Sequence, residues 1–156
     1  MNPLVVILMG SAADRSHCDV MATLLTSLEV EFVQRIGSAH KTPEHVLQLI
    51  EHYESDPRGV VWITVAGRSN ALSAFVDAKV VSPVISCPPL SMPEDVWSSL
   101  RMPSDVAPLV VLEPKNAALA AAKIVAQHDP ALRARVIQHK VREAAKVTAA
   151  DAEITA

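Results

Sequence analysis

A chain of 156 residues with a formal net charge of −3 and only 3% aromatic side chains lacks the basic patches and stacking rings with which proteins grip nucleic acids. Half of its residues are hydrophobic, yet no apolar run approaches the roughly 18 residues of a membrane-spanning helix. Leu4 to Met9 is too short for the core of a secretory signal. The expectation is therefore a cytoplasmic protein with no nucleic-acid or membrane partner. Its two cysteines, Cys18 and Cys87, lack zinc or disulfide spacing and read as core thiols. A mean hydropathy of +0.25 in so small a chain predicts that apolar surface is hidden between subunits as well as within one.

Five apolar or β-rich runs, at Leu4 to Met9, Glu31 to Ile36, Val60 to Ala66, Pro83 to Cys87 and Leu109 to Leu112, alternate with helical periodicity and predict a parallel sheet. After the first strand, Val20, Met21, Leu24, Leu25 and Leu28 share one helix face, with Asp14 or Ser16 near its start. After the second, Thr42 and Pro43 form an N-cap and a first-turn proline, and Val46, Leu47, Ile50 and Tyr53 carry the stripe. Asn70 caps a third helix through Leu72, Phe75 and Ala78. Ser91 and Glu94 have capping-box spacing ahead of Val96, Trp97 and Leu100, and packing accounts for Trp97 better than base stacking. Asn116 opens an alanine-rich helix to about Gln127, Asp129 with Pro130 opens a last one carrying Leu132, Val136, Ile137 and Val141, and Thr148 to Ala156 reads as a frayed tail. Without repeat, linker or composition break, residues 1–156 form one doubly wound α/β domain.

Three strands run into small or polar residues: Gly10 and Ser11; Gly37, Ser38, Ala39, His40 and Lys41; Gly67, Arg68, Ser69 and Asn70. In an open parallel sheet these ends point the same way and can share one pocket. Helices that begin just beyond them present free N–H groups and a positive dipole end, so an anionic small molecule is the expected guest. From the residues alone His40 is either a proton carrier or a capping or surface histidine. Lys41 is an anion contact or an exposed first-turn lysine, and Asp14 a ligand contact or a helix cap.

The blocks VVILMGSAAD (Val5 to Asp14), GSAHKTPE (Gly37 to Glu44), VAGRSN (Val65 to Asn70), PVISCPP (Pro83 to Pro89) and DVWSSLRMP (Asp95 to Pro103) together resemble the PurE family of purine-biosynthesis enzymes. Within it the chain is similar to the class II branch, the 5-aminoimidazole ribonucleotide (AIR) carboxylases, which join AIR to carbon dioxide. The class I branch, the N5-carboxyaminoimidazole ribonucleotide mutases, has SAHR at Ser38 to Lys41 and GGAAHLPG at Ala66 to Leu72. Ala71 departs from the class, which has glycine there, and Ser73 to Val81 does not match it well.

The resemblance implies a flavodoxin-like three-layer α/β/α sandwich with a parallel sheet of about five strands, a homo-oligomer of four or eight subunits, and no metal or organic cofactor. It further implies that His40 shuttles the proton at ring carbon C4 when the carboxyl group is added or lost. Ser11 would meet the phosphate and Asp14 the ribose hydroxyls, while Ser38, Lys41, Gly67 and Ser69 would contact substrate or carbon dioxide. Arg68 either holds the phosphate or braces a loop across a subunit contact. The same fold admits a flavin-binding module, but the first and third loops offer no aromatic ring to sandwich an isoalloxazine.

Overall fold

The computed structural model describes residues 2–154. Strands β1 (Leu4–Met9), β2 (Phe32–Ile36), β3 (Val60–Val65), β4 (Val84–Ser86) and β5 (Leu109–Val110) alternate with helices α1 (Arg15–Ser27), α2 (Pro43–Glu54), α3 (Ala71–Asp77), α4 (Trp97–Leu100), α5 (Pro114–Val125) and α6 (Pro130–Ile154). The strands form one sheet in the order β2-β1-β3-β4-β5, and every pair runs parallel. This is the flavodoxin-like order, with helices on both faces.

The continuous apolar runs of β1 and β3 have their cause in the layers: all six residues of each strand are buried, because a parallel sheet is covered on both sides. One face carries Val5, Ile7 and Met9 with Val61, Ile63 and Val65 against α1 and α5. Leu4, Val6, Leu8 and Trp62 pack on the other against α2 and α3. β4 ends where Pro88 and Pro89 remove the next two ladder donors. β5 is shorter than its apolar run, because the chain turns at Glu113, the N-cap residue of α5.

Several sequence expectations are corrected. The core face of α1 is Cys18, Met21, Leu24 and Leu25, and Val20 lies on its exposed rim. In α2 the buried stripe is Val46, Leu49, Ile50 and Tyr53, so Leu49 takes the place given to Leu47. Ile137 and Val141 face outward on α6, as does Trp97 on α4, which is 59% exposed and so is left largely uncovered by this chain. The tail does not fray at Thr148: α6 continues to Ile154, as alanine-rich sequence favours, and Thr155 and Ala156 lie outside the described residues. Among the described residues no helix is long and apolar enough to cross a membrane.

Candidate active site

β1 and β3 are neighbours at the middle of the sheet, and the chain leaves them toward opposite edges. That switch point opens a crevice beyond the strand ends. A cleft of 370 Å³ fills it. The first loop contributes Ser11 and Asp14, the second Ser38, His40 and Lys41, and the third Gly67, Arg68 and Ser69. Every residue singled out in the sequence as a site residue therefore lines one cavity. Ser91, beyond β4, lines it too. In the sequence its spacing to Glu94 has the form of a cap, which hides this position. In the structure Met92 is the N-cap, and its N–H donates to the Asp95 carboxylate at 3.1 Å.

The first loop is tied to the sheet by Gly10, whose N–H donates to the Val65 carbonyl at 2.8 Å. Ser11 accepts the Ala13 N–H at 3.2 Å through its hydroxyl, which caps the short 3-10 turn Ala12–Asp14 and leaves the hydroxyl proton for a ligand. Asp14 stands at the N-cap position of α1 but makes no capping bond, so its carboxyl group is available to the cleft. Burial raises the pKa of that carboxyl above its ordinary value, opposed by the Ser11 backbone and by His17.

The second loop closes on itself. Thr42 Oγ1 accepts the Ser38 N–H at 3.0 Å and donates to the Ser38 carbonyl at 3.3 Å, while Ser38 Oγ accepts the Lys41 N–H at 3.2 Å. Thr42 thus occupies the N-cap position of α2 without capping it, because its hydroxyl is turned back to Ser38. His40 and Lys41 are displayed, exposed, at the crown of this clasp. Gly37 lets α2 pack closely behind it: a Cβ there would stand 2.9 Å from Val46 Cγ2.

In the third loop a Cβ on Gly67 would lie 2.8 Å from the Pro89 carbonyl oxygen, so only glycine permits this contact between the third loop and the segment after β4. Ser69 adopts a left-handed backbone with φ of 50°, a conformation that disfavours side chains with a Cβ and gathers at functional sites. His40, Lys41 and Arg68 stand around the cleft against the single carboxylate of Asp14. With the N-termini of α1 and α2 also opening on it, the cavity suits an anion.

Behind Asp14, His17 Nε2 lies 3.4 Å from Cys87 Sγ. Burial lowers the pKa of this half-buried imidazole, opposed by Asp14, Cys87 and Glu113. The thiols of Cys18 and Cys87 are fully buried, and burial above all pushes each up to about 12. Since the thiolate is the reactive form, a maleimide at neutral pH is expected to leave both unlabelled over minutes in the native protein and to label both in guanidinium. Rapid native labelling of Cys87 would contradict its place in the core. Among the described residues no three histidine, cysteine or acidic side chains gather as a metal site.

The sheet order and this cleft define a flavodoxin-like α/β protein with a candidate ligand cleft at the topological switch point. Residues 4–146 match the model of the AIR carboxylase family. A phosphoribosylaminoimidazole carboxylase of Treponema denticola is 46% identical over 157 residues, covering 99% of both chains. One of Archaeoglobus fulgidus is 49% identical over 152 residues, covering 96% of this chain and 83% of that one. The crystal structure of Treponema denticola PurE superposes with a TM-score of 0.95 at 46% identity, covering 99% of each chain. The chain belongs to the AIR carboxylase (PurE) family and is an enzyme of purine biosynthesis.

Proposed function

We propose that this enzyme is a class II AIR carboxylase. It would reversibly carboxylate C4 of AIR with carbon dioxide to give 4-carboxy-5-aminoimidazole ribonucleotide in the route to IMP. The observation that carries this reading is that His40, Lys41 and Ser69 line one cleft whose second and third loops have the carboxylase residues SAHK and GRSN. Relatives at 46% and 49% identity also bear the carboxylase name. The amino group of AIR makes C4 an enamine carbon, nucleophilic enough to attack carbon dioxide directly. The C4–carboxyl bond forms as the carbon dioxide π bond breaks, the amino group becomes an iminium, and C4 is left tetrahedral, bearing both the carboxylate and its original hydrogen. His40 is the base that takes this proton and restores the aromatic ring; an imidazole accepts and returns protons near neutral pH.

Lys41, with the Ser69 hydroxyl or N–H, stabilises the nascent carboxylate, a charge that develops only as the bond forms. Ser38 and the Gly67 backbone complete that pocket. Ser11 and Arg68 hold the phosphate, and Asp14 accepts from the ribose hydroxyls. Incubation with AIR, bicarbonate and carbonic anhydrase tests the reading: AIR is consumed and the product absorbance rises. Lys41→Met and Ser69→Ala are each expected to slow carboxylation and the reverse decarboxylation by one common factor of about tenfold or more, since both directions share a transition state. Wild-type kcat/KM for carboxylation in either variant would remove that residue from the carboxyl pocket.

A homo-oligomer of four or eight subunits belongs to the same proposal. Leu90, Met92, Trp97, Leu100, Ile137 and Val141 are all exposed on the single chain, apolar side chains that contacts between subunits would cover. Light scattering is expected to give four or eight times 16.7 kDa, and a monodisperse monomer at micromolar concentration would contradict it. Two buried free thiols fit a reducing compartment, the cytoplasm.

A further inference from the structure

Behind the third loop lies a buried polar cluster that the chemistry above does not use. Asn70 is 2% exposed, and Thr64, Ser73, Ser86 and Ser99 have no exposure at all. The Asn70 carboxamide is the hub. Its Oδ1 accepts the Ser73 N–H at 3.1 Å and the Ser73 hydroxyl at 3.0 Å, and its Nδ2 donates to Ser86 Oγ and Ser99 Oγ, both at 2.9 Å. The Asn70 N–H donates to Ser98 Oγ at 2.8 Å. Ser73 Oγ in turn lies 2.7 Å from Thr64 Oγ1. A helix cap needs only the Oδ1 bond to Ser73. The two Nδ2 bonds reach instead to β4 and to α4.

The backbone explains what that reach achieves. Asn70, with φ of −68° and ψ of 73°, has the geometry of the centre of an inverse γ-turn, and the turn is closed by the Ala71 N–H donating to the Ser69 carbonyl at 2.7 Å. It follows directly on the left-handed Ser69, so an unfavourable conformation and a tight turn are consecutive in a loop that faces the cleft. Such geometry persists only where surrounding structure over-determines it, and a buried, fully satisfied network admits one arrangement.

We propose that Asn70 is a positioning residue: its buried carboxamide bolts the turn Gly67–Ser69 to β4 and α4, and so sets where Ser69 stands opposite His40 and Lys41. The same bolt aligns the third loop with the segment carrying Ser91, since α4 follows that segment in the chain. The kinetic consequence rests on the class II reading, in which Ser69 meets the nascent carboxylate. A loosened turn then impairs use of carbon dioxide more than binding of the ribonucleotide, which loses part of the Arg68 contact but keeps Ser11 at its phosphate and Asp14 at its ribose, both on the first loop.

The test uses Asn70→Ser, which keeps a good helix cap but is too short to reach Ser86 and Ser99, and Ser99→Ala, which removes one bolt without touching the loop. Val136→Ala, a core truncation in α6, is the control for general destabilisation. In both variants of the buried cluster kcat/KM for carbon dioxide is expected to fall about tenfold while KM for AIR stays within about threefold, and amide exchange at residues 67–69 to rise about tenfold; the control moves neither. Unchanged exchange at 67–69 in both variants overturns the proposal, as does an unchanged kcat/KM for carbon dioxide. Should the parent enzyme consume no AIR with bicarbonate, the class II reading fails by itself, and the exchange comparison still decides whether Asn70 holds the turn. Should Asn70→Ser not fold, Ser99→Ala decides by the same two readouts.

Discussion

His40→Asn is expected to lower turnover by at least about 10²-fold, the scale of losing a positioned general acid or base, while the protein stays folded and still binds AIR. The asparagine amide can fill much of the space of the imidazole and can hydrogen-bond, but it cannot carry the C4 proton. The side chain is exposed at the crown of the second loop, and the bonds that shape this loop join Ser38, Lys41 and Thr42. The loop is therefore expected to keep its form in the variant. Circular dichroism and calorimetric binding of AIR check the fold and the site. Near-native turnover in this variant would take His40 out of the mechanism.

A loss of both stability and activity is expected from a single methyl group at Gly67. The Cβ of Gly67→Ala would stand 2.8 Å from the Pro89 carbonyl oxygen and 3.7 Å from its Cγ, and neither the carbonyl nor the proline ring can swing aside as a flexible side chain would. The third loop and the segment after β4 must part, at a cost of about 1–3 kcal/mol for overpacking, or a fall of about 2–10 °C in Tm. The displaced loop carries Arg68 and Ser69, so kcat/KM is expected to drop by about tenfold or more. Gly10→Ala is the stability control: its Cβ would meet Ala66 Cβ at 3.5 Å, an ordinary contact, and Tm should hardly change. Wild-type Tm and activity in Gly67→Ala would show that the two segments are not in close contact.

Much of this site is legible in the sequence because its residues sit in short blocks at strand ends, where fold and chemistry coincide. β1 and β3 are readable as buried strands because unbroken apolar runs in a parallel sheet leave few alternatives. Ser38, His40 and Lys41 come together with Ser11 and Gly67 because the sheet order places their loops side by side. What cannot be read is partner choice across distance. Thr42 has the residue type and place of a helix cap, yet its hydroxyl bonds Ser38. Asn70 reads as a cap and is one, but its bonds to Ser86 and Ser99 join residues 16 and 29 positions away. Ser91 faces the cleft because the local cap uses Met92 and Asp95 instead. Trp97 shows the limit of burial arguments drawn from residue type, since hydrophobicity does not say whether the covering surface belongs to the same chain.

The choice of carboxyl donor tests the central claim most directly. A carboxylase must admit free carbon dioxide and orient it against C4, whereas a mutase must keep the gas released from its own substrate in a closed pocket. Purified enzyme is given either AIR with bicarbonate and carbonic anhydrase or freshly made N5-carboxyaminoimidazole ribonucleotide, and product absorbance is followed in both. The account predicts rapid conversion of AIR in the first and, in the second, only the slow formation that follows spontaneous breakdown of the compound to AIR and carbon dioxide. Rapid conversion of N5-carboxyaminoimidazole ribonucleotide with no use of AIR would contradict it.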